Sequence, residues 1–303
     1  MKKQRLTGVL ALGAAASLLL AGCAGTGSTE GDVTPDSESK GTITLGYIPS
    51  WTDGLSTAYL LENQLGELGY EVKMEELTEA GVLYAGLSNG DIDIYPSAWP
   101  EVTHADYMNE FGDGIEDLAS YYSGASLTIA VPSYTDIDSL EDLAGNADMF
   151  GGEIIGIEPG AGLTGVTQDS MMPAYGLDGE YNLVTSSTAT MLTSLGQAID
   201  NNEDIVVTLW RPFWAYNAYD VKDLADPLGA MGETESLHFL GKLGFADEFP
   251  EAAEYIAGIT LDDAAYGELE GLVTSEEWEG DPAGAVSLWI SENPGAYPTL
   301  ISG

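Results

Sequence analysis

GDIDIYPSAWPEVTH, residues 90 to 104, is the stretch whose reading decides the fold class. DIDIYP alternates apolar and polar residues, the period of a half-buried β-strand. A helical pattern, AGVLYAGLSNG, precedes it, and another strand, EVKMEEL, precedes that. Strand, helix and strand in this order make the crossover unit of an open, mostly parallel α/β sheet. Beyond the strand end stands Trp99, and five residues later His104, in a chain of 303 residues with six tryptophans and two histidines. Ligands of open α/β sheets bind beyond the carboxyl ends of the strands. An aromatic face and an imidazole at that place therefore raise the question of what they touch.

The same alternation continues outward in both directions. TITLGYI (42–48) reads as a strand and STAYLLENQLGELGY as a helix with apolar spacing of three and four; SLTIAVPSY (126–134) is a strand leaving this region, closed by Pro132. A second series begins with the strand EIIGIE (153–158), which turns through PGAG into a helix. YNLVT (strand), TATMLTSLGQAIDNN (helix) and DIVVTLW (204–210, a buried strand) complete it. Beyond ADPLGAMG the runs LHFLGKLG, PEAAEYIAG, DDAAYGELEGLV and PAGAVSLWISENP read as helices of a C-terminal cap that packs back on the first series. The expectation is an α/β protein of two lobes, each an open, mostly parallel sheet flanked by helices, with a hinged cleft between them. Lobe I takes residues 42–131 plus about 232–303, and lobe II about 132–231.

The N-terminus speaks to location. MKKQR and a short apolar run end in Leu20-Ala21-Gly22-Cys23, which resembles the bacterial lipobox, where the cysteine is acylated and the chain is cut before it. Residues 1–22 are thus expected to be a signal peptide and Cys23 a lipid anchor at the outer face of the cytoplasmic membrane. Residues 23–41, nearly devoid of apolar side chains, read as a flexible tether with a reach of roughly 20–25 Å. Cys23 is the only cysteine, which leaves no internal disulfide and puts stability on core burial. No second apolar run is long enough to span a bilayer, so the expected link to the membrane is the lipid.

The chain carries 50 acidic and 8 basic residues, and loss of Lys2, Lys3 and Arg5 with the signal leaves 50 against 5. Nucleic-acid binding is disfavoured, because phosphate neutralisation needs cations this chain lacks. The acids are dispersed through the sequence and read as a solvated surface suited to high salt or acid.

Four strand ends carry a chemical pattern. Trp51 follows TITLGYI, Trp99 and His104 follow DIDIYP, PGAG with Gly162 and Leu163 follows EIIGIE, and DIVVTL runs into Trp210. A tryptophan face attracts a cation through its quadrupole, and several together hold a quaternary ammonium without any hydrogen-bond donor. A glycine turn opening a helix presents free N–H groups and the positive dipole end to an anion. Together they describe a small zwitterion. Taken singly, each tryptophan is also explained by packing, PGAG by an ordinary turn, and His104 by a surface position at a helix start. Trp278 and Trp289 read as core, Phe213 and Trp214 as a wall behind Trp210, and His238 as local packing in a helix.

The chain resembles the glycine betaine/proline betaine substrate-binding proteins of ABC importers over nearly all of its length after the tether. The resemblance is carried by GYIPSW, GELGYEV, GDIDIYPSAWPEVTH, DIDSLEDL, IIGIEPGAGL, TSSTATM and DIVVTLWRPFWAYNAYDVKDLADP. It implies a two-lobed periplasmic-binding-protein-like fold of type II and a monomer that delivers its ligand to a membrane permease and ATPase, with no cofactor and no metal. It also implies that Trp51, Trp99 and Trp210 form a prism around a trimethylammonium group, while the N–H groups of Gly162 and Leu163 and the ring of His104 hold the carboxylate. Relatives often have histidine where this chain has Phe213, and some carry the two lobes in swapped order; here the lobe with Trp51 and Trp99 comes first. Other cargoes remain open: choline, carnitine, ectoine or a sulfonium analogue. An enzyme with His104 and Glu101 as acid and base is the distant alternative, without nucleophile elbow, phosphate loop or metal-spaced cluster to support it.

Overall fold

The computed structural model describes residues 39–293, 300 and 301. The signal segment, Cys23 and all but the last three residues of the tether lie outside the described residues. Nine strands are laid out in the order β2-β1-β3-β9-β4-β7-β5-β6, with β8 paired to β4. They are β1 (Thr42–Tyr47), β2 (Glu71–Glu76), β3 (Ile94–Ala98), β4 (Ile115–Pro132), β5 (Glu153–Ile155), β6 (Asn182–Val184), β7 (Val207–Arg211), β8 (Val221–Asp223) and β9 (Glu235–Lys242). The long β4 belongs to two sheets. Its first part, up to Ala125, pairs with β9, and its last part, from Ser126 to Pro132, pairs with β7 and β8. Three register shifts against β9, between Asp117 and Ala125, mark bulges, the feature by which a strand bends out of one sheet toward another.

Parallel pairing occupies the two flanks, β2-β1-β3 and β7-β5-β6, as the strand–helix alternation requires. The middle is antiparallel, because SLHFLGK, read from sequence as helical, is strand β9 between β3 and β4. The misreading has a physical cause. Leu237 and Phe239 are buried on one face while Ser236, His238 and Lys242 are only partly buried on the other, but Leu240 and Gly241 follow Phe239 directly, and a short run with that break loses the alternation that separates strand from helix. β4 likewise starts eleven residues before the predicted SLTIAVPSY, through an Asp-, Ser- and Gly-containing segment. The remaining C-terminal runs are helical as expected, at Pro250–Ile256, Asp263–Val273 and Pro282–Glu292.

Helix α1 (Thr52–Glu67) follows β1 and buries Ala58, Leu60, Leu61 and Leu65 against the first sheet. Each such Leu side chain is worth about 1.5–3 kcal/mol on burial. The buried hydroxyls of Ser56 and Thr57 donate to the carbonyls of Thr52 and Asp53, so they cost the core no unpaired polar group. Helix α2 (Ala80–Asn89) ends at Gly90, whose φ of 80° is the left-handed cap that starts the turn into β3. Among the described residues no helix is long and apolar enough to cross a membrane.

Candidate functional site

All six residues expected to meet a ligand line one cavity: Trp51, Trp99, His104, Gly162, Leu163 and Trp210. Asp53, Thr103, Leu127, Ile157 and Ala161 complete the wall. Trp51 and Trp99 sit just past the ends of β1 and β3 in the first sheet. Trp210 lies in β7 and Gly162 opens helix α3 (Gly162–Val166) beyond β5, both belonging to the second. No lysine or arginine lines the cavity.

The five-residue separation of Trp99 and His104 is a closed turn. The His104 N–H donates to the Trp99 carbonyl at 2.8 Å, and the Trp99 N–H donates to His104 Nδ1 at 3.1 Å. A backbone N–H is always a donor, so Nδ1 is an acceptor and the imidazole proton rests on Nε2. The Tyr84 hydroxyl stands 3.0 Å from the same Nδ1. Burial pushes the His104 pKa down to about 3, so the ring is neutral at ordinary pH and offers one N–H donor without charge. Its plane lies 21° from that of the Trp51 ring, with centroids 6.1 Å apart. Glu235, itself buried, fixes the intervening loop by accepting from the N–H groups of Val102 and Thr103 at 3.0 Å each and from the Thr103 hydroxyl.

The side of the cavity expected to face an anion is backbone. The first bond within α3 runs from the Gly165 N–H to the Ala161 carbonyl at 3.1 Å, so the N–H groups of Gly162 and Leu163 precede it and have no helical partner. Ala161 caps the helix with no side-chain bond, and Gly162 and Leu163 both line the cavity. Gly162 is required by close approach: a Cβ there would lie 1.8 Å from the Thr103 carbonyl oxygen of the opposing loop.

Two of the three indoles donate to carboxylates. Trp99 Nε1–H bonds Asp53 Oδ2 at 3.1 Å, and Trp51 Nε1–H bonds Glu158 Oε2 at 3.2 Å. Asp53 also accepts from the Ser97 hydroxyl at 2.7 Å. Burial pushes its pKa up, against the opposing effect of the Ser97 and Trp99 hydrogen bonds. Trp210 is 5% exposed, and the Phe213 ring stacks on it at 3.9 Å with a 21° tilt, outside the cavity lining. Trp289 is buried in the core and Trp278 packs against it.

Sequence reasoning missed Asp53 and Glu158. Both carry the residue type that this chain spends most freely on its surface, so neither position stood out. His238 is not in a helix: it lies on β9 and pairs with Asp117 at 2.8 Å and Glu101 at 3.1 Å, and the Asp117 hydrogen bond raises its pKa. Glu101 thus faces His238, and the acid–base pairing of Glu101 with His104 weighed from sequence is absent. No group of three or more His, Cys, Asp or Glu is placed to hold a metal among the described residues.

Comparison with known proteins adds an independent line. The family model described as the substrate binding domain of an ABC-type glycine betaine transport system matches residues 41–292. The glycine betaine/carnitine transport binding protein GbuC of Listeria monocytogenes is 33% identical over 144 residues, 46% of this chain and 46% of that protein. The aligned stretch therefore spans about half of that relative's length. Among solved structures, a glycine betaine, L-proline transporter binding protein (ProX) of Borrelia burgdorferi superposes with a TM-score of 0.80 and 30% identity, over 86% of this chain and 96% of that one. Lactococcal OpuAC, in a closed form complexed with glycine betaine, gives 0.77 and 31%, over 85% and 98%. The fold is that of type II periplasmic binding proteins.

Proposed function

The chain belongs to the family of substrate-binding domains of ABC-type glycine betaine transport systems, and from that premise we propose that it captures glycine betaine, or a close quaternary-ammonium zwitterion, outside the cytoplasmic membrane and delivers it to a permease and its ATPase. The observation that carries this reading is the composition of one cavity wall: three indoles, three neutral N–H donors and no cationic side chain.

In this reading Trp51, Trp99 and Trp210 surround the trimethylammonium group. Each desolvated face contributes roughly 0.5–2 kcal/mol. The ligand carboxylate takes the N–H groups of Gly162 and Leu163 and the Nε2–H of His104. A neutral His104 suits that role, since donation without charge leaves no cation to repel the ammonium end. Lobe I (42–131 plus about 232–303) carries Trp51, Trp99 and His104, and lobe II (about 132–231) carries Trp210, Gly162 and Leu163. The full set of contacts therefore exists only when the lobes meet, and ligand shifts the population toward that state. The lipobox-like Leu20-Ala21-Gly22-Cys23 supports a lipoprotein held at the outer face of the cytoplasmic membrane by Cys23.

Titration of glycine betaine into the purified protein, followed by calorimetry and tryptophan fluorescence, tests the reading. Saturable heat with a fluorescence change is expected; neither signal at millimolar ligand refutes it. Choline is the second reading, favoured by the Asp53 carboxylate in the same wall. Choline has no carboxylate to use the Gly162, Leu163 and His104 donors, so it should compete poorly with glycine betaine. Equal competition favours choline.

A further inference from the structure

Glu158 is not part of the cavity wall, yet its carboxylate takes four hydrogen bonds. Oε1 accepts from the Ser50 hydroxyl at 3.1 Å and the Thr188 N–H at 3.0 Å. Oε2 accepts from the Trp51 indole at 3.2 Å and the Thr188 hydroxyl at 3.0 Å. The Thr188 donors open the helix Thr188–Asn201, on the same side of the cleft as Glu158, and a helix N-terminus favours a carboxylate. The other two donors stand on the opposite side, in the link from β1 to α1. No lysine, arginine or histidine pairs with Glu158 among the described residues.

The three indoles are held in different ways. Trp99 is 4% exposed, and its N–H is tied to Asp53 on its own side. Trp210 is 5% exposed, its Nε1 has no partner among the described residues, and Phe213 backs its ring. Trp51 is only partly buried and is the one indole whose N–H is bound from across the cleft.

We propose that Glu158 is a positioning residue, a preset acceptor on lobe II that seizes the Trp51 N–H as the cleft shuts and so makes completion of the cation cage conditional on closure. The proposal rests on the quaternary-ammonium reading above. The Thr188 bonds join groups on one side of the cleft and keep the carboxylate aimed whether the lobes are open or shut. The Ser50 and Trp51 bonds form only at contact, so the protein orders the third cage wall and the ligand does not bear that cost. A carboxylate on the indole N–H also pushes electron density into the ring, which strengthens the negative face that a cation meets. Release requires both cross-cleft bonds to break, so the effect belongs mainly to the dissociation rate.

The test uses Glu158→Gln, Trp51→Phe and the double variant, with glycine betaine as ligand and stopped-flow fluorescence for both rates. Glu158→Gln preserves size but turns an amide N–H₂ toward donors, and should raise Kd about tenfold or more through faster release, with association within about threefold. Trp51→Phe keeps a ring and removes the N–H, so in that background Glu158→Gln should cost at most about threefold. An unchanged Kd in Glu158→Gln, or the same penalty in both backgrounds, overturns the proposal, the second because it assigns the effect to the Thr188 helix. If Glu158→Gln does not fold, Ser50→Ala removes one lobe I donor to Glu158 and leaves the three indoles in place; release more than about twofold faster supports the latch and a rate within twofold overturns it. Absence of betaine binding by the unmodified protein overturns the functional reading and the latch with it, whereas binding with indifferent variants overturns the latch alone.

Discussion

Replacing Gly162 by alanine adds one methyl group at the tightest point of the cleft. The new Cβ would lie 1.8 Å from the Thr103 carbonyl oxygen, and 2.7 Å from both the carbonyl carbon and Cγ2 of the same residue. Real Cβ contacts do not fall below 3.0 Å, so the opposing backbone must withdraw by about 1.2 Å, the difference between those two distances. The loop cannot give way cheaply, because Glu235 pins it through the Val102 and Thr103 N–H groups. The lobes must therefore stop short. A withdrawal of that size exceeds what the 2.6 Å bond from the Tyr107 hydroxyl to the Gly160 carbonyl and the 3.2 Å bond from Trp51 to Glu158 can tolerate. Losing two such bonds, one of them to a carboxylate, costs roughly 2–4 kcal/mol before any ligand contact is counted. Gly162→Ala should accordingly weaken glycine betaine about 100-fold in a calorimetric titration. Gly165→Ala is the control: it sits in the same helix with nothing within 4 Å of its Cβ, and it should bind normally and gain about 0.4–1 kcal/mol of stability. A Gly162→Ala protein that binds betaine within threefold of the Gly165→Ala protein would falsify the closed-cleft reasoning.

Further outcomes follow from the same geometry. Trp99→Ala should weaken both glycine betaine and tetramethylammonium, whereas His104→Ala should weaken betaine 10- to 100-fold, about 1.5–3 kcal/mol, and spare tetramethylammonium, as competition fluorescence can show. Burial pushes the Glu270 pKa up to about 8 from an ordinary 4.5, opposed by the Thr52 hydroxyl bond of 2.6 Å. Its contribution to stability is therefore complete below about pH 4.5 and is lost as pH rises toward 8. Glu270→Gln should gain on the unmodified protein across that window in urea unfolding at pH 5, 6.5 and 8. His104 has the opposite sign: with its pKa lowered, its contribution is present above about 6.5 and lost as pH falls toward 3, and betaine affinity should show no imidazole titration between pH 5 and 9. Phe213→Ala removes the ring stacked on Trp210 and should cost roughly 3–5 kcal/mol of stability and weaken betaine; Phe213→His, which keeps a ring, should lose less in thermal unfolding and in the same titration.

The parts of the fold that were legible in the sequence are those where each element stands alone on its own periodicity. EVKMEEL, exposed along one face, and the helix TATMLTSLGQAIDN, with Met191, Leu195 and Ala198 buried on one side, could be read from pattern because water on the other face preserves it. SLHFLGK could not, since Phe239, Leu240 and Gly241 in succession break its alternation after only four residues. Residues that line the cavity were legible where chemistry was scarce: six tryptophans and two histidines make each one conspicuous at a strand end. Asp53 and Glu158 were invisible for the converse reason, being two of 50 acids whose roles depend on which donors the fold brings to them. The turn that joins Trp99 to His104 shows why spacing alone was informative there: five residues is the length at which the imidazole returns to the N–H of its own tryptophan.

The most direct measurement is a crystal structure of the protein with glycine betaine bound. The trimethylammonium group should lie among Trp51, Trp99 and Trp210, with the carboxylate within hydrogen-bond distance of the Gly162 and Leu163 N–H groups and of His104 Nε2. A ligand outside the indoles, or one whose carboxylate points away from His104 and Gly162, would contradict the assignment of the two ends of the site.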